Sequence, residues 1–293
     1  MSADLVFWCR RCSQSMVLLL FLFLPWLNAH GLHWLGGSLF AFDLAGLPFA
    51  DPAMALQAGL LSLVESCRPE GQLLIGACLA LLLALLLGRV FCSWLCPYGF
   101  LSELIHSMRW RGKGHGSANS GASSQYIFGV KTAVYLLAMT VLTLGSYPLL
   151  SLLSMPGELS LAPLRYWQEV TVAKGVSGWR ILASLSLTLA VPICALVLEA
   201  LTGRRFWCRF VCPQSVLLGL AAVCLPRCCP GLRIRWQPSA CTCRKDAPCR
   251  ATCALGCNPR QKDGPARRDC TMCGDCVRAC ASRGGALRWQ WRV

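Results

Sequence analysis

Charge is scarce in this chain. Asp, Glu, Lys and Arg make up only 14% of its 293 residues, where an ordinary soluble domain carries about a quarter. Together with a mean hydropathy of +0.52, that shortage excludes a soluble globular fold and points to a membrane. Acid is scarcer still, with 13 Asp and Glu against 28 Lys and Arg, for a net charge of +15. Such an excess raises nucleic acid as a partner. The basic residues, however, flank apolar runs and lack interleaved aromatics, so no nucleic-acid binding is expected. Beyond Pro226 the chain lacks apolar runs altogether. That segment has no span and too little core to fold unaided, so metal or disulfide staples are expected there.

What is present is apolar length and cysteine. Four runs, near residues 16–27, 73–91, 127–150 and 181–198, approach the roughly 20 residues a membrane-crossing helix needs. The first is the shortest and follows Arg10 and Arg11; Asn28, Ala29 and His30 make a poor cleavage site, so it reads as an uncleaved anchor. Arg89, Arg109, Arg111 and Lys113 follow the second run and Arg204, Arg205 and Arg209 the fourth. The loop between the first two carries Asp43, Asp51, Glu65 and Glu70 against Arg68 alone. The positive-inside rule then places both termini in the cytoplasm. Two further segments, 53–64 and 215–225, are too short to span and are expected at the interfaces. Residues 112–124 read as a flexible linker.

Of the 21 cysteines, Cys92, Cys96 and every one after Arg204 face a reducing compartment on that topology, where metal binding is the stronger reading and disulfides the weaker. A motif Cys-x-x-x-Cys-Pro occurs twice, at Cys92, Cys96 and Pro97 and again at Cys208, Cys212 and Pro213, each after an apolar run. Proline suits the first position of a helix, so each motif is read as a turn that starts a helix, with Cys96 and Cys212 as N-caps. A helix N-terminus favours thiolate there. Packed side by side, the halves bring Cys92, Cys96, Cys208 and Cys212 to one depth, and three uses compete: a third iron-sulfur cluster, a copper(I) site, or a dithiol redox pair.

The tail is more specific. Cys270, Cys273, Cys276 and Cys280 keep the Cys-x2-Cys-x2-Cys-x3-Cys spacing of a [4Fe-4S] ferredoxin, although Ala281 stands where proline is usual. A second, irregular set holds Cys241, Cys243, Cys249, Cys253 and Cys257. On the crossover rule one cluster is expected on Cys257, Cys270, Cys273 and Cys276. The other is expected on Cys243, Cys249, Cys253 and Cys280, with Cys241 as the alternative to Cys243. Arg244, Arg250, Arg278 and Arg283 stand near these anionic sites. The pair Cys9 and Cys12 reads as chance, and Cys67, Cys78, Cys194, Cys224, Cys228 and Cys229 as small apolar residues. Glu199, inside the last run, is a candidate for proton handling. His30 and His33 are candidates for a quinone or haem.

The expected fold is an all-α integral membrane protein with four transmembrane helices, a pseudo-repeat of two helical pairs, over residues 1–225. A small cytoplasmic ferredoxin-like domain for two [4Fe-4S] clusters is expected over 226–293. The two motifs at Cys92 to Pro97 and Cys208 to Pro213, the run Cys270 to Cys280, Arg10 and Arg11, and Asp51 with Pro52 resemble the polyferredoxin-like membrane proteins of the NapH, MauN and NosR type. That resemblance implies a multi-pass protein of the bacterial inner membrane that draws electrons from the membrane quinone pool. It implies delivery through the clusters to an accessory ferredoxin or cytochrome c and a periplasmic redox enzyme. A related branch implies copper(II) reduction or metalloenzyme assembly at the duplicated cysteines instead.

Overall fold

The computed structural model describes residues 3–31, 35–39, 41–44, 47–50, 52–66, 71–87, 89–110, 123–145, 153–171, 178–202, 205–224, 231–243, 247–261, 265–266 and 268–292. Most of them are helical. Helix α1 (Ala3–Ala29) leads to an antiparallel meander of β1 (Leu35–Ser38), β2 (Ala41–Leu44) and β3 (Leu47–Ala50), followed by α2 (Pro52–Ser66) and α3 (Gly71–Leu87). A one-turn α4 (Phe91–Trp94) opens onto α5 (Pro97–Trp110). Then come α6 (Ser123–Leu144), α7 (Met155–Thr171) and α8 (Gly178–Thr202), a π-helical turn at Trp207–Val211, and α9 (Pro213–Cys224). In the tail β4 (Gly231–Trp236) pairs antiparallel with β5 (Leu287–Arg292), enclosing the short helices α10 (Pro248–Ala251) and α11 (Asp275–Ala281).

Among the described residues, α1 and α6 are long and apolar enough to cross a membrane. Helix α8 makes a third if its two pieces, bent by 46° between Ser186 and Thr188, count as one. The bend has a cause in Pro192, which donates no hydrogen bond and whose ring crowds the carbonyl of Thr188 four residues back. The second expected span is the short one. The 17 residues of α3 cover about 25 Å at 1.5 Å each, against a hydrocarbon core of about 30 Å.

Three elements depart from the sequence reading. The loop after α1 is a β-meander that reaches into the bundle: Leu39 is buried among Val17, Phe21 and Leu24 of α1, and its N–H donates to Ser160 Oγ at 3.0 Å. The segment expected at an interface is α2, which packs on α3, α6 and α9, with Ala55 wholly buried against Ala77. Helix α7 was not expected, because its charge is mixed. Met155, Glu158 and Ala162 nevertheless fall three and four residues apart on one buried face, and Pro156 suits the first turn. Its Glu158 finds Arg165 at 3.7 Å.

Candidate metal centre

Both copies of the repeated motif fold alike. The N–H of Cys96 reaches back five residues to the carbonyl of Phe91 at 3.1 Å, and that of Cys212 to Trp207 at 2.9 Å. Each wide turn ends at a proline that begins the next helix, α5 or α9. Cys96 Sγ accepts the N–H of Gly99 at 3.2 Å, the bond of an N-cap to the third helical residue; Ser215 serves Cys212 in the same way. No side chain fits at Gly99, because a Cβ would lie 2.3 Å from the Cys92 carbonyl and 3.0 Å from the Arg205 guanidinium. All four sulfurs are buried, at 6 to 8% exposure. They also lie close together, near enough that a charge on Cys208, Cys92 or Cys212 would raise the proton affinity of Cys96.

Cations close around this group. Arg205 Nη2 approaches Cys208 Sγ at 3.7 Å. Lys131 donates to the carbonyls of Cys208 and Arg209 at 3.3 and 3.2 Å and to Ser215 Oγ. Arg89, 5% exposed, donates to the carbonyl of Arg268 at 2.8 Å, and its Nε and Nη2 are buried with no partner among the described residues. Among the described residues, neither Lys131 nor Arg89 has a carboxylate within salt-bridge distance. Buried cations call for a counter-charge, and the motif sulfurs would supply it once deprotonated as ligands.

The helix N-terminus does not make these thiols acidic, contrary to the sequence reading. Burial and the neighbouring sulfurs hold Cys96 well above the ordinary thiol value. Burial pushes Cys208 up to about 12 in spite of Arg205, and it raises Cys212 in spite of Lys131. Reactive dithiols are exposed and acidic, so this environment fits ligands that give up protons only to a bound metal. Folded thiols that hold protons more tightly than unfolded ones contribute their full stabilisation below the unfolded pKa and lose it progressively as pH rises from there through the folded pKa. The metal-free chain is therefore expected to lose thermal stability as pH rises past about 8.5, and the Cys96→Ala, Cys208→Ala variant to lose less. An equal loss in both would refute the assignment.

In the tail, Cys253, Cys257, Cys270, Cys273 and Cys276 line one cavity of about 830 Å³, which Phe7, Trp8 and Arg11 of α1 also face. Cys249 and Cys280 share the tail core with Ile234 and Leu287, and Cys241 packs against it; Cys243 follows, its carbonyl taken by Arg260 at 3.2 Å. These residues fit iron-sulfur ligation. Cys270 Sγ accepts the N–H of Met272 at 3.4 Å and Cys253 Sγ that of Cys257 at 3.2 Å, the backbone bonds that tune a ligating sulfur. The Cys270 loop turns tightly through Met272 and Gly274 at positive φ. A Cβ at Gly274 would lie 2.8 Å from the ring of Trp289.

Both motif copies grip this loop system. From the first, Ser93 Oγ donates to the Thr271 carbonyl, Trp94 Nε1 to that of Met272 at 3.5 Å, and Arg89 to that of Arg268. From the second, the N–H of Arg205 reaches the Ala254 carbonyl at 3.3 Å and Arg209 Nη1 that of Leu255 at 2.9 Å.

Residues 72–114 and 185–227 each match the family described as "4Fe-4S binding domain", and each match contains one copy of the motif. The ferredoxin-type protein NapH of Escherichia coli is 24% identical over 290 residues, 96% of this chain and 88% of NapH. The chain is related to the NapH/MauN-type ferredoxin proteins. The methylamine utilization ferredoxin-type protein MauN of Methylorubrum extorquens is 27% identical over 216 residues, 72% of this chain and 63% of MauN. YccM of Escherichia coli is 28% identical over 205 residues, 68% of this chain; the chain spans about half of YccM, 51% of its length. No solved structure matches.

The chain also has polar residues that its motifs do not announce. Glu103 of α5, 5% exposed, meets Arg10 at 3.1 Å, Arg11 at 3.4 Å and Arg205 at 3.3 Å, and Arg10 continues to Asp275 at 2.8 Å. Gln14 donates to Glu103 at 3.2 Å and to the Ser93 carbonyl at 2.6 Å. An acid on the positive flank of an acid-poor chain was the available signal. Glu199 accepts from Ser102 Oγ and from the Trp207 N–H at 3.0 Å, anchoring the second motif. Burial first and Glu199 second keep the Tyr98 phenol protonated. His30 stacks on Trp26 at 4.3 Å, and Arg278 pairs with Asp4 at 2.8 Å. Cys9, Cys12, Cys78 and Cys194 are exposed. His33, Cys67, Cys228, Cys229 and Arg244 lie outside the described residues.

Proposed function

We propose that this polyferredoxin carries electrons from membrane quinol through [4Fe-4S] clusters in its tail toward a periplasmic reductase or dehydrogenase system or its accessory ferredoxin. The carrying observation is the double grip: donors from both motif copies, at Arg89, Ser93, Trp94, Arg205 and Arg209, seat the loops that present the tail cysteines. A membrane sulfur site and a cluster site that share a wall suit passage between them. When bound, a cubane supplies one-electron chemistry at a potential set by hydrogen bonds to sulfur, net charge and burial. The chain's part is to bury the ligands, donate N–H groups to Cys253 and Cys270, and surround the sulfurs with Arg10, Arg89, Lys131 and Arg205.

The proposal includes a membrane domain over 1–225 and a cluster domain over 226–293. It also includes four spans, with both termini on the cytoplasmic side of a bacterial inner membrane. Support for the orientation is the gathering of Arg and Lys at one end of the spans. At the duplicated motif it favours a third cluster over copper. Among the described residues no three His, Cys, Asp or Glu side chains converge on a single ion, and a polynuclear cluster holds its thiolates wider apart than one ion does. Copper(II) reduction or metalloenzyme assembly is the second reading, carried by the four buried sulfurs, which suit a soft metal.

Anaerobic purification with iron and sulfide assay tests both. About eight irons per chain means two cubanes and about twelve a third. EPR during a quinol titration is expected to show cluster reduction. Clusters indifferent to quinol would rule out that donor, and copper(I) binding abolished by replacing Cys92, Cys96, Cys208 and Cys212 would favour the second reading.

A further inference from the structure

Five cysteines face the 830 Å³ cavity, Cys253, Cys257, Cys270, Cys273 and Cys276, and a cubane takes four. One is surplus. Spacing points to Cys257 as the ligand from the first set, because Pro259 follows it closely. The architecture of the tail points elsewhere.

The tail is built from two similar halves. Strand β4 precedes the first cysteine set and pairs with β5, which follows the second; α10 of the first half packs on α11 of the second. Cys249 is the second residue of α10 and Cys276 the second residue of α11. One helical turn on, with three residues between, come Cys253 in the first half and Cys280 in the second. Cys253 is therefore the counterpart of Cys280, the cysteine that crosses over to the other cluster. Cys257 has no counterpart.

The neighbours agree with the symmetry. Cys253 Sγ already accepts a backbone N–H, donated by Cys257 at 3.2 Å. Cys257 borders a second, small cavity of about 30 Å³, lined also by Arg89, Lys131 and Arg209. Like Cys253, it packs against the core that holds Cys96 and Cys208.

We propose that Cys253 closes the site formed by Cys270, Cys273 and Cys276, and that Cys257 is a surplus thiol standing between that site and the duplicated motif. The other site then takes Cys249 and Cys280 with Cys241 and Cys243. This rests on the reading that the tail holds two clusters.

The test uses the full chain, purified anaerobically, with iron and sulfide counted and the reduced EPR spectrum recorded. Relative to the wild type, Cys257→Ser or Cys257→Ala is expected to keep all its iron and an unchanged spectrum, and Cys253→Ser to lose about four irons. Either Cys257 variant retaining full iron suffices, which guards against one replacement that fails to fold. Loss of iron from both Cys257 variants overturns the proposal. Full iron in Cys253→Ser overturns it too, since the two thiols would be interchangeable. A wild type without iron sinks the two-cluster reading instead, which is a different result.

Discussion

Replacing Glu103 with alanine is expected to destabilise the folded chain by about 3–5 kcal/mol, the usual cost of stranding a buried charge, and to free the tail from the membrane helices. Three guanidiniums share this one carboxylate, and two of them are all but inaccessible, Arg10 at 0% and Arg205 at 3% exposure. Asp275 still offsets Arg10; among the described residues nothing acidic replaces Glu103 for Arg205 within salt-bridge distance. The readouts are denaturant unfolding in detergent, the rate of iron loss, and protease sensitivity of the tail. Glu103→Gln keeps shape and hydrogen bonding but not charge, so it isolates the electrostatic share. Arg11→Ala, at the wetter edge of the network with 18% exposure, is expected to cost under about 1 kcal/mol. Equal effects for Glu103→Ala and Arg11→Ala would dismiss the network as a fastener.

The second large effect is expected at Cys273. It lies in the loop held by the first motif copy, next to the Arg10 and Asp275 pair, so Cys273→Ser should remove about four irons and stop transfer from the membrane to the remaining cluster. Cys249→Ser should also remove about four irons yet leave the cluster beside the membrane reducible by quinol. Stopped-flow absorbance with a quinol analogue separates the two. If Cys273→Ser still reduces its remaining cluster at the wild-type rate, the clusters only staple the tail and electrons do not pass through them.

Much of the site could be read in the sequence because it depends on short spacings. Cys270 to Cys280 lies within one loop and helix, and each Cys-x-x-x-Cys-Pro writes its own turn and helix start. The apolar runs likewise announced α1 and α6. What could not be read depends on distant partners. Arg10 finds Glu103 at a separation of 93 residues and Asp275 at 265, so its flanking position gave no hint of burial. Helix α7 hid behind mixed charge until Glu158 and Arg165 were seen to meet. The thiol acidity expected of a helix N-terminus went the other way because burial and sulfur-sulfur repulsion exceed a dipole felt over one turn. The choice between Cys253 and Cys257 needed the pairing of β4 with β5, which no local spacing reveals.

The double grip has a consequence for biogenesis. Arg89, Ser93 and Trp94 are made far ahead of the carbonyls they hold at Arg268, Thr271 and Met272, and synthesis runs from the N-terminus. The membrane half therefore waits with open donors until the end of the chain has been translated and has taken up its iron. Seating of the tail becomes a late checkpoint, and a chain starved of iron is expected to present that open face to membrane proteases. Cellular abundance of the protein would then follow iron supply after translation, with no change in its messenger.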